Sequence, residues 1–355
     1  MARAFRVIDT GVRDGRRQIA FDQALIDAHK AGAIPDTIRF LRFPPTALVG
    51  RHQALSREIR LDYCKANGIG VARRITGGGA IYFDEGQLGW ELVFRRATLP
   101  IGSLADLARE ICEAAAAGLC TLGVDACYRP RNDIEVSGRK LSGTGGFFDE
   151  DTLFYQGTVL IDLDPERMVA ALKVAQAKLA KRALDSAAQR VVTLSELLGS
   201  APSIEAVKRS LLTGFAQRLS IAPVAGEITV YEEALAAKYH DEEIGTDAFV
   251  AEIDDPDAGN GVRSATHEGA GGSVSVHVRL EGATLERIRE VLITGDFFVT
   301  PPRTIFDLEA ALRGVGARDA GAAVERFFAK ASVGLLSVSP ADFRRAVEAA
   351  VARAS

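Results

Sequence analysis

No run of eighteen apolar residues and no apolar signal segment at the start occurs in this sequence, so neither a membrane-spanning helix nor an export leader is read from it. A soluble cytoplasmic protein is expected. Cysteine is scarce: Cys64, Cys112, Cys120 and Cys127 form no Cys-x-x-Cys pair and have no histidine at metal-ligand spacing. Reduced, mostly buried thiols are expected. The five histidines (His29, His52, His240, His267, His277) are scattered, which argues against a structural zinc site. Two common nucleotide loops are missing as well. No Gly-x-x-x-x-Gly-Lys-Ser/Thr surrounds Lys140, and Gly143-Thr144-Gly145-Gly146 meets Phe148 where a dinucleotide fingerprint wants its last glycine.

What is present suits a large globular chain. The 355 residues are comfortable for two domains, and 47% hydrophobic against 25% charged residues supplies an ample core. The net charge of −4 speaks against a nucleic-acid partner. It is unevenly spread: from Arg39 to Arg74, seven arginines and Lys65 face only Glu58 and Asp62, a local excess of six. This is either a solvated surface or a basic face for a nucleotide or an acidic partner.

The pattern predicts strands at 5–9, 37–43, 71–74, 134–136, 157–161 and 274–280, with a further strand ending in Gly295-Asp296-Phe297-Phe298. Helices are expected at 17–32, 57–66, 103–122, several over 165–220, one near 230–240, and at 303–313 and 339–354. The segments 80–83 and 88–94 flank Asp84-Glu85-Gly86-Gln87 and read as a hairpin. Irregular alternation with short connections favours an α+β fold with a mixed, largely antiparallel sheet over a doubly wound parallel one. Gly- and Asp-rich stretches at 254–273 read as a linker between a domain at 1–253 and a smaller α+β domain at 274–355. Trp90 is assigned to the core.

Two segments carry chemistry. Arg73-Arg74-Ile75-Thr76-Gly77-Gly78-Gly79-Ala80 joins two cations to three glycines, so backbone amides and positive charge can both approach a phosphate. About sixty residues on, Ser137-Gly138-Arg139-Lys140-Leu141-Ser142-Gly143 sets a lysine where its ammonium can reach a developing negative charge. Taken singly, three glycines also make a tight turn and a lysine is commonly solvated. Asn132 and Asp133 either close a turn or join the site, where Asp133 would orient Lys140. Arg139 is read as structural or solvent-facing.

With these motifs in this order, the chain resembles the lipoate–protein ligases of the biotin/lipoate ligase superfamily. The likeness extends to Val7–Gly11 with Phe21–Leu25, to Asn132-Asp133, and to Leu280–Phe298 as the start of a C-terminal accessory domain. The resemblance implies that lipoate and ATP form lipoyl-adenylate, and that the acyl group then passes to a lysine of an acceptor protein. It implies Lys140 as the catalytic residue. Arg74, Thr76, Gly77, Gly78, Gly79, Ala80, Ile81, Tyr82, Asn132 and Asp133 would bind nucleotide and lipoate, with Phe83 flanking. Magnesium would neutralise the pyrophosphate, with no ligand set identified. The acceptor would be a lipoyl domain, a glycine-cleavage carrier or a dedicated lipoate-binding protein. The accessory domain would change position between the two steps. Three positions depart from the family: Thr76 for serine, and Phe83 and Gln156 where histidine is common. Lys178–Arg190 loosely resembles its mobile adenylate loop.

The alternatives are an octanoyl/lipoyl transferase working without ATP, a biotin ligase, and a non-catalytic lipoyl-protein-binding relative. The transferase chemistry needs a nucleophilic cysteine, placed in those relatives after the lysine motif, and no cysteine follows Cys127. A biotin ligase builds its loop on Gly-Arg-Gly-Arg.

Overall fold

The structure is a computed structural model describing residues 2–173, 190–254, 261–269 and 271–353. The adenylate-loop resemblance at Lys178–Arg190 falls almost wholly outside the described residues. In chain order the first strands are β1 (Arg3–Val12), β2 (Thr37–Arg42), β3 (Thr46–Val49), β4 (Gly70–Arg73), β5 (Ile81–Phe83) and β6 (Gln87–Arg95). They are followed by β7 (Cys127–Arg129), β8 (Asp133–Val136), β9 (Arg139–Asp149), β10 (Thr152–Leu160) and β11 (Ile221–Ala225).

Eight of these make one mixed sheet in the order β11-β1-β2-β6-β10-β9-β8-β7. Only β11–β1 and β1–β2 run parallel. One face buries Phe94, Leu92 and Trp90 under the helices Leu104–Cys120 and Ile204–Leu219. On the other face lies the helix Gly15–Lys30, started by Asp14, whose carboxylate accepts the amides of Arg16 and Arg17. Beyond that helix's N-terminus, β3 pairs with β4 and β5 in a separate three-stranded sheet. The functional cavity opens between the two sheets.

The C-terminal unit is built on β12 (Val262–Gly269), β13 (Gly272–Glu281) and β14 (Arg287–Gly295), all antiparallel. Helices Thr304–Leu312, Ala320–Lys330 and Pro340–Ala352 pack on them around a core of their own. A two-stranded ribbon joins β15 (Val299–Thr300) to β16 (Gly334–Leu335).

Several expectations change. The segments around Asp84–Gln87 do not pair as a hairpin, because β5 joins β3 while β6 is a central strand of the main sheet. Eight of the nine residues of β6 are buried, as a strand covered on both faces requires. Strand β12 lies inside the stretch read as linker, so the C-terminal sheet starts at Val262 rather than at 274. A third helix, Ala320–Lys330, is not expected from the sequence, where Gly314 and Gly316 precede it and Gly321 lies in its first turn. Two thiols are buried, but Cys120 and Cys127 are exposed. The arginine-rich stretch is divided: Arg39, Arg73 and Arg74 are internal and Arg51 pairs with Glu252 at 2.5 Å, while Arg57, Arg60 and Lys65 are exposed. No described helix is long and apolar enough to cross a membrane.

Glu309 gives this unit a pH-dependent cost. Burial pushes its carboxyl from 4.5 to about 7, although it accepts the Ile293 amide at 2.7 Å. A raised acid remains protonated in the folded state while the unfolded state ionises. Stability therefore falls as pH rises from 4.5 to about 7 and stays low above. Glu309→Gln keeps the acceptor and removes the charge. Urea unfolding at pH 8 is expected to show a gain of about 2 kcal/mol, vanishing near pH 4.5. An equal gain at both pH values would contradict this cause.

Candidate active site

The glycine segment connects β4 to β5, and its two arginines act as scaffold. Arg73 is fully buried and donates to the carbonyls of Gly50, Arg51, Gln53, Phe249, Val250 and Ile253. Arg74 gives its guanidinium hydrogens to the carbonyls of Leu48 (3.1 Å), Gly77 (3.0 Å) and Gly79 (2.8 Å), which fixes the loop's shape. Burial lowers both guanidinium pKa values to about 10, leaving both charged at neutral pH. The Thr76 hydroxyl accepts from Gln156 Nε2 at 2.8 Å, so two of the family departures meet each other. Phe83 packs on Phe43, ring centres 4.7 Å apart, as an apolar wall.

The Gly295–Phe298 corner of the C-terminal unit lies against this loop. The Gly78 amide donates to the Phe297 carbonyl at 2.9 Å, and a Cβ added at Gly79 would stand 2.9 Å from Asp296 Oδ2. The Phe298 ring enters between the loop and β9: a Cβ would approach it to 2.5 Å at Gly78 and 2.1 Å at Gly145. Gly78 also has φ +91°, which other residues rarely adopt. The glycines thus permit a close approach, here by another part of the same chain.

Lys140 stands at the start of β9, on the opposite wall. Its ammonium lies 2.7 Å from Asp133 Oδ1, while Arg129 holds Asp133 Oδ2 at 2.5 Å. Asp133 thus forms an ion pair with the lysine. Asn132 instead serves the backbone, donating from Nδ2 to the Thr144 carbonyl at 2.5 Å. Arg139 points away and pairs with Glu196 at 2.7 Å. Burial raises the carboxyl pKa of Asp296, opposed by the charges of Arg74 and Lys140.

Together these walls enclose a cavity of about 590 Å3. All the expected site residues line it except Thr76, which acts behind Gln156. Asp22, Glu91, Asp296 and Phe298 also line it, and sequence reasoning had given them no role. The resemblance places the Gly-Asp-Phe-Phe corner in the accessory domain and not in the site. A lone acid in the apolar run Leu88–Phe94 was the available signal for Glu91.

No cysteine lines the cavity. Cys112 sits behind β9 against Thr144 and Tyr155, and burial pushes its thiol up to about 11. The Tyr82 hydroxyl is buried without a hydrogen-bond partner, its pKa raised to about 12 chiefly by burial.

Residues 14–216 match the family model described as the lipoyl protein ligase A/B catalytic domain. Among curated proteins, the chain is 29% identical over 266 residues to octanoyltransferase LipM of Symbiobacterium thermophilum, covering 68% of this chain and 96% of that one. It is 30% identical over 244 residues to lipoate-protein ligase A subunit 1 of Thermoplasma acidophilum, covering 66% and 91%. A solved lipoate-protein ligase A bound with ATP superposes with a TM-score of 0.62 at 26% identity, covering 70% of this chain and 99% of that one. The matched span contains the glycine loop, Lys140 and the strands carrying them, and the chain belongs to the lipoyl protein ligase A/B catalytic-domain family, which holds both ligases and octanoyltransferases.

Proposed function

We propose that this protein is an ATP-dependent lipoate–protein ligase: it activates lipoate as lipoyl-adenylate and transfers the lipoyl group to a lysine of an acceptor protein. One observation carries the choice between the family's two chemistries. A transferase that works through an acyl-enzyme thioester needs an ionisable thiol beside the lysine. Here the cavity holds Lys140 and a glycine loop but no cysteine, and the nearby Cys112 has its thiolate disfavoured by burial. The carboxylate must then be activated by a co-substrate, and a nucleotide is bound by the related ligase of known structure.

In this reading Lys140 stabilises the carbonyl and phosphate oxygens as the mixed anhydride forms, and Asp133 positions it. The glycine loop, shaped by Arg74, would offer backbone donors to phosphate once the C-terminal corner gives way, since the Gly78 amide is taken by the Phe297 carbonyl and the Gly79 amide by the Asp296 carboxylate. Asp133 and Asp296 are the carboxylates that flank this end of the cavity. No cluster of three metal-ligating side chains exists among the described residues. A magnesium ion would enter on the nucleotide, and Asp296 is the carboxylate that could help hold it, both oxygens of Asp133 being taken by Lys140 and Arg129. Such an ion would neutralise the departing pyrophosphate. The acceptor is a protein of the lipoyl-domain or carrier class.

The reading is tested by ATP–pyrophosphate exchange. Lipoate-dependent exchange, followed by a lipoyl mass increase on a lipoyl domain, is the expected result. Acyl transfer from an octanoyl carrier protein without ATP would overturn it in favour of the transferase. Exchange with biotin alone would point to the biotin enzymes.

A further inference from the structure

The cavity that holds Lys140 is lined by apolar side chains such as Leu41, Phe43 and Phe83, and also by the buried acid Glu91. Across the main sheet, Gln156 pairs with Gly145 on β9 and with Glu91 on β6, and Glu91 pairs with Arg39 on β2. Members of such a row share one face. At about 4.8 Å per strand, Glu91 lies ~10 Å across the sheet from Gly145. The Lys140 ammonium lies beside Gly143, where a Cβ would be 2.7 Å from Nζ. Gly143 is two residues, about 7 Å, from Gly145 along the strand. Combining the two offsets puts roughly 12 Å between the ammonium and the Glu91 backbone. An extended carbon chain advances about 1.2 Å per bond, so an eight-carbon acid spans about 8 Å. With its carboxylate at Lys140, such an acid would end within reach of the Glu91 side chain.

Glu91 is 1% exposed, and its Oε2 has no hydrogen-bond partner although it lies 3.3 Å from Arg39 Nε. Asp22, equally buried, takes Arg39 Nη2 at 2.9 Å. Two carboxyls thus share one guanidinium. Burial raises both, Asp22 to about 6 and Glu91 well above its ordinary value. Burial thus favours the protonated form of Glu91, which hydrogen-bonds Asp22 and leaves Oε2 facing the cavity without a partner. A plain alkyl end leaves this group unsatisfied, whereas a polar or sulfur-bearing end gives it a partner.

We propose that Glu91 determines acyl specificity, selecting medium-chain acids with a sulfur or hydroxyl at the far end over plain alkanoates of equal length. The proposal rests on the acyl-activating reading of the cavity. A purely structural triad tying the helix Gly15–Lys30 to the sheet would leave acid preference unmoved.

The test compares lipoate, 8-hydroxyoctanoate and octanoate on the full-length protein by ATP–pyrophosphate exchange. Wild type is expected to favour both functionalised acids by about tenfold in kcat/KM. Glu91→Leu should shrink the lipoate-to-octanoate ratio at least fivefold, while Glu91→Gln, which still donates and accepts, should keep it. Octanoate used as well as both other acids overturns the proposal, as does an unchanged ratio in a folded Glu91→Leu. If that variant does not fold, the wild-type ranking decides. Calorimetric titration of the three acids without ATP separates the two readings. The expected ranking without any exchange would sink adenylation but uphold Glu91, and a flat or reversed ranking would sink Glu91 even if exchange occurs.

Discussion

With Lys140 replaced by alanine, lipoate-dependent pyrophosphate exchange is expected to fall by about 10²–10³-fold or more, the scale of losing one preorganised donor to developing charge. The geometry specifies why a substitute is hard to find. The ammonium is held at 2.7 Å by Asp133, itself fixed by Arg129, so the cation is oriented before substrate arrives. The nitrogen lies where a Cβ on Gly143 would be only 2.7 Å away, which leaves little room for the wider, planar guanidinium of Lys140→Arg. That variant is expected to recover little. Asp133→Asn retains the cation but loosens its position, and a smaller loss near tenfold is expected. Circular dichroism should be unaltered, because the lysine side chain is more than a third exposed. Exchange within threefold of wild type in Lys140→Ala would remove this residue from the chemistry.

The glycine loop and the lysine were legible because local sequence alone specifies them: glycine for close approach, and a cation in a short polar run. Their partners were not, because each comes from a distant segment. Asp22 sits on a helix and Glu91 on a strand nearly seventy residues later, and only the packing of that helix over β6 makes them share Arg39. Phe298 reaches Gly78 and Gly145 from the C-terminal unit, and no periodicity encodes that docking. The pattern ends a strand at Val136, yet most of Gly138–Gly146 is the eleven-residue strand β9. Its glycines answer neighbours: a Cβ at Gly146 would fall 2.2 Å from the Phe154 carbonyl. Counting charge along the chain misjudged the arginines for a related reason. A guanidinium carries five donors, and backbone carbonyls can satisfy them inside the protein as well as water does outside.

Arg73→Met is accordingly expected to be among the most destabilising single changes in the chain. The side chain gathers six carbonyls from the loop after β3 and the end of the helix Asp247–Val250. Methionine fills similar volume but leaves those acceptors buried without donors, at about 1–3 kcal/mol for each that finds no water. Even partial rescue by solvent leaves a loss of roughly 4 kcal/mol. Arg73→Lys should recover only part, since an ammonium has three donors and no planar fork. Trp90, the single tryptophan and fully buried in the main sheet, provides the probe. Its fluorescence should place the urea midpoint of Arg73→Met at least about 1 M below wild type. The same loop carries His52, whose carbonyl accepts the Gly295 amide at 3.0 Å and whose ring stacks on Phe297, centres 5.4 Å apart. Loosening it should therefore weaken the docking of the C-terminal unit on the glycine loop as well, and proteolysis should accelerate before Trp90 is exposed. An unchanged midpoint would mean that the carbonyls are served by water, and that the first arginine of the motif is free to act on substrate after all.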